Sequence, residues 1–415
     1  MDTRKILVWF RNDLRLHDNE MLVEAIAKSD RILPVYIFDP DFSGTEVSDG
    51  NHAGPCRQRF LLESVQALRE SFQRFQGDLL IVSGQPEICI PELVEQYDIA
   101  EVYHHREVSN KETADSSSVE DHLWKLKVNL RHFIGHTLYN KEDLPFPIKD
   151  IPDVFGQFKK KTERDAMVKE CLAVPEKISF VEVESWGEMP AIPECPEEII
   201  HGGEAAGIMK LEEMLRADSP VHAKINRSQA GKSDFSTHLS PYLATGCLSP
   251  RKVYWAIKNT LEGKAATPVL SAILQGLLLR DFFRFMLKKH GVNFYTEKLE
   301  HLQAESDPQV YVQLLENWKT GKTGHVIVDG FMRNLNKSGQ ISNAGRILVA
   351  TYLVHVLKIS WIEGVLYFEQ KLLDYSPASN WGNWANIASG AVEPKAKNLY
   401  DLDKQLKMLN LEAQV

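Results

Sequence analysis

The chain has 415 residues, 48 basic against 57 acidic side chains, and a formal charge of −9. A hydrophobic fraction of 43% and a charged fraction of 25% are ordinary for a globular protein, so they exclude a largely disordered, fibrous or disulfide-scaffold chain. The length predicts two or three domains. The acidity argues against bulk-charge binding to nucleic acid or an anionic membrane, although a local basic patch stays open.

Five cysteines stand at positions 56, 89, 171, 195 and 247 without a C-x-x-C pair. Their spacing predicts neither a zinc site nor a disulfide framework, and it favours a reduced, cytoplasmic setting. The N-terminal apolar run is too short for a signal peptide, and the longest apolar stretch, at 347–357, is too short to cross a bilayer. We therefore expect a soluble protein.

Residues 1–135 alternate apolar runs with helical patterns; the runs are at 6–10, 32–38, 79–82, 101–104 and 128–134, and the clearest helical patterns are at 57–75 and 87–97. This alternation predicts parallel strands joined by helical crossovers, hence an α/β doubly wound parallel-sheet domain. No G-x-G-x-x-G follows the first strand, so the dinucleotide fingerprint is absent. A nucleotide-binding-like sheet that holds no ligand stays an alternative.

Residues 136–204 are punctuated by proline, contain a charged helical pattern at 157–172, and are expected to connect two domains. From 205 to 415 a helical period prevails, at 250–261, 269–289, 309–320, 343–357 and 362–373. The sequence therefore predicts an all-α second domain.

Hydroxyl side chains cluster in FSTHLSPYLATGCLSPR, residues 235–251. Ser236, Thr237 and Ser240 precede or adjoin Pro241, a residue suited to the first turn of a helix. Free N–H groups at such a helix start favour an anion. The same hydroxyls are equally suited to simple N-capping, so both interpretations are kept.

A second polar group lies in the last third of the chain. Asn343 and Arg346 share one helical face, and Asp374 falls where a predicted helix ends, a position that disfavours a carboxylate without a partner. We predict an Arg346–Asp374 ion pair. It is either structural or presents polar groups to a heteroaromatic ligand.

The segment DYSPASNWGNWANIASG, residues 374–390, is predicted to be a loop. Small residues surround Trp381 and Trp384, and each tryptophan is directly preceded by an asparagine, Asn380 or Asn383. Such a segment suits the close approach of a flat ligand, which tryptophan can stack on and asparagine can hydrogen-bond. A packed tryptophan corner is the alternative.

Five strings, taken together, resemble the photolyase/cryptochrome family: VWFRNDLRLHDNEML, FSTHLSPYLATGCLSPR, RDFFRF, GKTGHVIVDGFMRNLNKSGQISNAGR and LLDYSPASNWGNW. They follow the family's order over nearly the whole chain, and they are most similar to those of DASH-type cryptochromes. The resemblance implies an α/β antenna domain at 1–135, a connector at 136–204, and a helical domain at 205–415 that holds FAD.

The resemblance also implies roles for individual residues. The loop residues would hold the FAD diphosphate, the Arg346–Asp374 pair would lie beside the isoalloxazine ring, and Asn380 would face flavin N5. The FAD-binding set so implied is Ser236, Thr237, Leu239, Ser240, Arg280, Asn343, Arg346, Asp374, Ser376 and Asn380.

Trp384 and Trp361 match the inner two members of the family's electron relay, in which oxidisable indoles follow one another. The outermost relay tryptophan has no match near Asp307, and Tyr311 or Trp318 would have to replace it. On the antenna side, Glu107 matches the acid that binds a folate (methenyltetrahydrofolate) in some members. A solvated carboxylate is the alternative for Glu107.

Several departures lie where photolyases grip damaged DNA. The family's pocket glutamate, tryptophan and second aromatic are replaced by Gly276, Leu279 and Asn386, and its phosphate-binding arginine by Ala344. A flipped dimer needs hydrogen bonds, stacking walls and a basic rim. On the cofactor side, Ser376 replaces an acid, and His222–Ala223 replace a phosphate-contacting tyrosine.

The leading hypothesis is therefore a blue-light-absorbing FAD flavoprotein that works by photoinduced electron transfer in sensing or signalling. One alternative is a deoxyribodipyrimidine photolyase that splits pyrimidine dimers, which would draw on basic residues such as Lys288 and Arg333. A second is a light-independent electron-transfer flavoprotein. FAD is the expected partner, DNA a weak one; no membrane is expected, and a signalling partner is not identified.

Overall fold

A computed structural model describes residues 3–39, 53–195, 200–216, 218–219, 236–263, 265–291, 307–389 and 401–409. Within this part, no helix is long and apolar enough to cross a membrane. His222 and Ala223, which stand at the expected phosphate contact, lie outside the described residues.

The N-terminal part is a five-stranded parallel sheet in the order β3-β2-β1-β4-β5. The strands are β1 Lys5–Phe10, β2 Arg31–Phe38, β3 Leu80–Ser83, β4 Glu101–His105 and β5 Asn129–Phe133. Each strand lies within a residue or so of its predicted position. The order reverses beside β1, as in a doubly wound sheet, so the predicted fold class is confirmed.

Helices cover both faces of the sheet, and the alternation of side chains along β1 explains why. Ile6 and Val8 pack on one side, in the same core as α1 Glu20–Lys28 and α2 Pro55–Gln73. Leu7 and Trp9 pack on the other, with α3 Pro86–Tyr97 and α4 Asn110–Lys125. The first core continues into the helical domain, so the sheet and the helices share one hydrophobic interior.

The rest of the described chain is helical. The connector holds α5 Phe155–Asp165, shorter than the helical pattern predicted at 157–172. The remaining helices are α6 Glu204–Leu215, α7 Ser240–Ala244, α8 Pro250–Leu261, α9 Pro268–His290, α10 Pro308–Thr320, α11 Val326–Ser338, α12 Asn343–Thr351, α13 Trp361–Lys371, α14 Pro377–Ser389 and α15 Leu402–Leu409. A π-helical turn at Tyr352–Val356 continues α12.

The prediction of a loop at 374–390 was wrong, because α14 occupies most of it. Pro377 begins the helix, where its missing N–H costs nothing. The small residues that suggested a loop serve packing: a Cβ atom at Gly382 would overlap the Phe283 ring of α9. Glycine here lets two helices approach closely.

The cysteine spacing, which predicted no disulfide framework, gave no sign of the one disulfide that the structure contains. Cys56, the second residue of α2, is bonded to Cys195 in the connector, and their Cα atoms are 4.9 Å apart. The two residues are 139 positions apart in sequence. Their proximity comes from the way the connector packs on the sheet domain, which local cysteine spacing does not reveal.

Buried polar contacts tie the sheet domain to the helical domain. The Arg15 guanidinium, fully buried, donates to Gly246 O and Gly135 O at 2.8 Å each. Asp18 pairs with Arg251 at the start of α8, at 2.8 Å. Because these charged groups are desolvated, their geometry fixes how the two domains meet.

Candidate functional site

A cleft of about 300 Å³ lies in the helical domain. Four stretches of chain form it: the hydroxyl loop with the start of α7, the end of α11 with the turn that follows, Arg346 in α12, and the segment after α13. Its lining is Ser236, His238, Ser240, Pro241, Asn334, Ser338, Gly339, Gln340, Ile341, Ser342, Arg346, Leu373 and Asp374. The cleft thus brings together Ser236, Ser240, Arg346 and Asp374, four residues that the sequence singled out.

The hydroxyl loop does not cap α7, so the N-capping interpretation was wrong. Leu239 is the N-cap residue, and no side chain bonds to the first turn. Ser236 Oγ accepts the His238 N–H at 3.2 Å, inside the loop. His238 has a positive φ of 52° and its Nδ1 lies 3.0 Å from Gln340 Oε1, so the loop is held against the turn after α11.

The predicted Arg346–Asp374 ion pair is present. Arg346 Nη2 lies 2.8 and 2.7 Å from the two Asp374 oxygens, and its Nε donates to Ile341 O at 3.1 Å. The Asp374 side chain is 7% exposed and that of Arg346 28%. Since Arg346 has one edge in the cleft, it offers a positive charge and hydrogen-bond donors to a ligand.

Other residues of the implied FAD set are not part of this lining. Leu239 is buried, Asn343 is exposed at the start of α12, and Thr237 and Ser376 are half-buried. Thr237 Oγ1 accepts the Leu239 N–H at 3.4 Å, which helps to shape the loop.

Arg280 and Asn380 have well-defined backbone partners. The Arg280 guanidinium donates to His136 O, and to Leu243 O at 2.8 Å, so it links α9 to the connector and to α7. Burial lowers the pKa of Arg280 to about 10. Asn380, 6% exposed on α14, donates from Nδ2 to Val365 O at 3.0 Å.

The donor set of the cleft suits a dinucleotide such as FAD. Serine hydroxyls and the His238 imidazole can bond phosphate oxygens, and a guanidinium–carboxylate pair can bond the edge of a heteroaromatic ring. The sequence analysis missed His238, Gln340, Ser338 and Ser342. His238 stands inside the hydroxyl loop, and the other three stand inside the family-like string at 321–346, so their place in these segments was the only signal that the sequence offered.

A group of tryptophans packs together in the helical domain. Trp384 is 2% exposed and lies over Gly364 of α13, where a Cβ atom would overlap its ring. Gly364 is one helical turn from Trp361, the first residue of α13. Trp361 in turn contacts Trp381, with ring centroids 5.7 Å apart.

Trp318 is also part of this group. Its ring centroid is 6.3 Å from that of Trp384, it is fully buried, and its Nε1–H donates to Val349 O at 3.0 Å. It is therefore a neighbour of the inner tryptophan and does not lie at the surface, where an outermost relay member would be needed. Trp381, which is half-buried, is closer to that description.

A second cleft, of about 460 Å³, adjoins Glu107 between the sheet domain and α9. Glu107 is 4% exposed, so the alternative of a solvated carboxylate was wrong. Burial alone would raise the pKa of Glu107, but His136 and Arg284, 3.1 and 2.8 Å away, hold it well below the usual range. Burial lowers the pKa of His136 to about 4, so Arg284 is the charged partner near pH 7.

None of the four positions expected for a damaged-DNA pocket carries the acid, aromatic or arginine that a photolyase would have there. Gly276 is exposed on α9 with open space where a Cβ would stand. Leu279, Asn386 and Ala344 are half-buried.

The sequence matches known protein families at both ends of the chain. A family model described as DNA photolyase matches residues 6–177, and one described as FAD binding domain of DNA photolyase matches residues 273–414. The chain belongs to the photolyase/cryptochrome family. Cryptochrome DASH of Gloeobacter violaceus is 37% identical over 419 residues, which cover 98% of this chain and 83% of that protein.

Two further matches agree. Cryptochrome DASH of Synechocystis sp. is 35% identical over 414 residues, covering 96% of this chain and 84% of that protein. The crystal structure of the Synechocystis sp. PCC6803 cryptochrome superposes with a TM-score of 0.86 at 32% identity, covering 99% of this chain and 89% of that one. The protein is a DASH-cryptochrome-like FAD flavoprotein, as the sequence motifs indicated.

Proposed function

We propose that this flavoprotein is a blue-light photoreceptor that works by photoinduced electron transfer between its tryptophans and FAD. The observation that carries the proposal is the cleft built around the Arg346–Asp374 pair, together with buried indoles packed in the same domain. The chain offers an oxidisable donor and a place for the chromophore within one hydrophobic core.

FAD, when bound, supplies light absorption and an electron acceptor. Ser236, Thr237 and Ser240 would hold its diphosphate, and Arg346 with Asp374 would adjoin the isoalloxazine ring. Arg280, Asn343, Leu239 and Ser376 would complete the surroundings of the cofactor. Asn380 would face N5, and because its Nδ2 is committed to Val365 O, its amide has one fixed orientation.

The tryptophans would supply the electron. With FAD as the acceptor, Trp384 would supply one electron, Trp361 would restore Trp384, and Trp381 would restore Trp361. Close contact favours the transfer from Trp381 to Trp361, whose rings meet edge to face with centroids 5.7 Å apart. Since Trp381 is half-buried, an external reductant can restore it, which we propose replaces the outermost relay member of the family.

The proposal favours sensing over DNA repair. Gly276, Leu279, Asn386 and Ala344 provide none of the acid, stacking walls or arginine that a flipped dimer needs. We therefore assign no surface of the protein to DNA or to a signalling partner. Repair of pyrimidine dimers, and electron transfer without light, become outcomes of the test.

Glu107 supports a folate antenna as a secondary proposal. Its buried, ionised carboxylate borders the second cleft and could accept N–H groups of a pterin ring. Folate copurification with wild-type protein, and its loss in Glu107→Gln, would support this role. A cytoplasmic setting and the domain limits 1–135, 136–204 and 205–415 stay predictions.

The test of the proposed function is an absorption spectrum of the purified protein, followed by blue-light titration with an external thiol as reductant. Bound FAD that bleaches under blue light supports the proposal. Protein without FAD, or FAD that stays oxidised, would overturn it. Splitting of a thymine dimer in an irradiated oligonucleotide would instead favour the photolyase.

A further inference from the structure

The Cys56–Cys195 disulfide joins the start of α2 to the connector, two segments far apart in the chain. The other three cysteines, Cys89, Cys171 and Cys247, are free. This bond is therefore a second covalent link, besides the backbone, between the connector and the sheet domain. Its two sulfur atoms lie in different surroundings, and this difference bears on its reactivity.

Cys195 is half-buried in a non-helical segment, whereas Cys56 is 5% exposed and belongs to the first turn of a 19-residue helix. The first turn carries N–H groups without intrahelical acceptors, which stabilise a thiolate there. A disulfide breaks faster when the attacked sulfur is accessible and the leaving thiolate has a low pKa. An incoming thiolate thus reaches Cys195, and Cys56 is the better leaving group.

The start of α2 also contacts residues that adjoin two of the chain stretches lining the cleft. Cys56 Sγ lies 3.7 Å from Lys337 O, which directly precedes the lining stretch 338–342. The Arg57 guanidinium donates to Leu372 O at 3.3 Å, two residues before Asp374. Cys56 and the residue after it therefore contact two neighbouring stretches of the lining, which are themselves joined by the Leu373 N–H donating to Gly339 O.

We propose that Cys56–Cys195 is a thiol-reducible modification site whose state controls how firmly the cleft retains FAD. The reductant is a dithiol, either a small molecule or a protein with a C-x-x-C pair. Its thiolate attacks Cys195 Sγ, forms a mixed disulfide and releases Cys56 as a thiolate, which takes a proton. The second sulfur of the dithiol then releases Cys195 and closes a cyclic disulfide, so two electrons enter the protein.

The site is tested by counting thiols with a maleimide after denaturation of the whole protein. Oxidised protein should show three reactive cysteines, and protein first treated in the folded state with excess dithiothreitol, in the dark and without oxygen, should show five. Peptide mapping should place the two new labels at 56 and 195. Five thiols before reduction, or three after it, would overturn the site.

The effect on the cleft rests on the proposed function and is tested separately, by the rise of free-flavin fluorescence after dilution. Dithiothreitol should speed FAD release by roughly tenfold in wild-type protein. Cys195→Ser should release FAD fast with or without dithiothreitol, whereas Cys171→Ser, which removes a free half-buried thiol, should behave like wild type.

Far-UV circular dichroism checks that Cys195→Ser is folded, and the wild-type comparison needs no variant. An unchanged release rate after complete reduction would overturn the coupling while leaving the site standing. Protein that contains no FAD would overturn the proposed function and the coupling with it, and the thiol count would still decide the site.

Discussion

Arg346 Nη2 bonds both oxygens of Asp374, at 2.8 and 2.7 Å, and so joins α12 to the segment after α13 at the edge of the FAD cleft. We expect Asp374→Asn to weaken FAD binding by about tenfold, because the guanidinium loses its anionic partner and its fixed position. Equilibrium dialysis against FAD measures this. Asp403→Asn, which changes an exposed acid of α15, should leave the affinity unchanged.

Arg346→Lys separates charge from geometry. Lysine keeps the positive charge but cannot present the planar fork that bonds Asp374 and Ile341 O together. We expect weaker FAD binding here as well. Wild-type affinity in both Asp374→Asn and Arg346→Lys would show that the pair is purely structural.

The tryptophan through which an external reductant supplies electrons can be identified by mutation. Two candidates have different neighbours, because Trp318 contacts Trp384, whereas Trp381 contacts Trp361. Trp318 is fully buried and offers no route to an external reductant, while Trp381 is half-buried. Trp381→Phe should therefore slow blue-light photoreduction by external thiol, and Trp318→Phe should not. If Trp318→Phe slowed photoreduction and Trp381→Phe did not, in variants that retain FAD, the external reductant would act through Trp318.

Gly276→Glu restores the acid that a photolyase has in its damaged-DNA pocket, and its effect on stability can be measured first. The position is exposed in the middle of α9 with open space at its Cβ, so Gly276→Glu should fold and raise the free energy of unfolding by about 0.5 kcal/mol through helix propensity. Urea unfolding measures this. A lower stability would mean that a glutamate side chain does not fit there.

The same variant bears on repair. Wild-type protein should not split thymine dimers under blue light, because the pocket also lacks aromatic walls at Leu279 and Asn386. Light-dependent repair by wild-type protein, and more by Gly276→Glu, would contradict the assignment to sensing.

We expect the buried Asp281 carboxyl to make the free energy of unfolding depend on pH. It is fully buried, accepts the Leu138 N–H at 2.8 Å, and its Oδ1 accepts no hydrogen bond within the described part of the chain. Burial raises its pKa from 3.8 to about 7, against the opposing effect of Arg280. The folded state thus holds the proton more tightly than the unfolded state.

The stabilisation from this proton is complete below the ordinary pKa and is lost as the pH rises to about 7. Asp281→Asn, which keeps an oxygen acceptor and cannot ionise, should be more stable relative to wild type at pH 8 than at pH 5. Urea unfolding at both values measures the difference. An equal difference at both would mean that Asp281 is not protonated in the folded state.

The sequence predicted the sheet well because each strand is a short apolar run bounded by turns and helices, as in 6–10 and 32–38. It also predicted the Arg346–Asp374 pair, since a carboxylate near a helix end needs a cation. It failed for α14, where Gly382 and its neighbours look like loop residues until Phe283 is packed against them. Propensity cannot show a tertiary contact of this kind.

Local sequence patterns could not predict the disulfide or the environment of Glu107, for the same reason. Cys56 and Cys195 meet only because the connector packs on α2. Glu107 becomes a buried ion because His136 and Arg284 come from other elements. His238 bonds Gln340 across 102 positions, so the full lining of the cleft required the structure.

The central claim, that Trp384 gives its electron to photoexcited FAD, is tested most directly by blue-light photoreduction of Trp384→Phe. Phenylalanine keeps much of the packing over Gly364 but is far harder to oxidise than an indole. We expect a photoreduction yield lower by about tenfold or more in a variant that still binds FAD. Trp255→Phe, which changes a tryptophan of α8, should keep the wild-type yield. A wild-type yield in Trp384→Phe would contradict it.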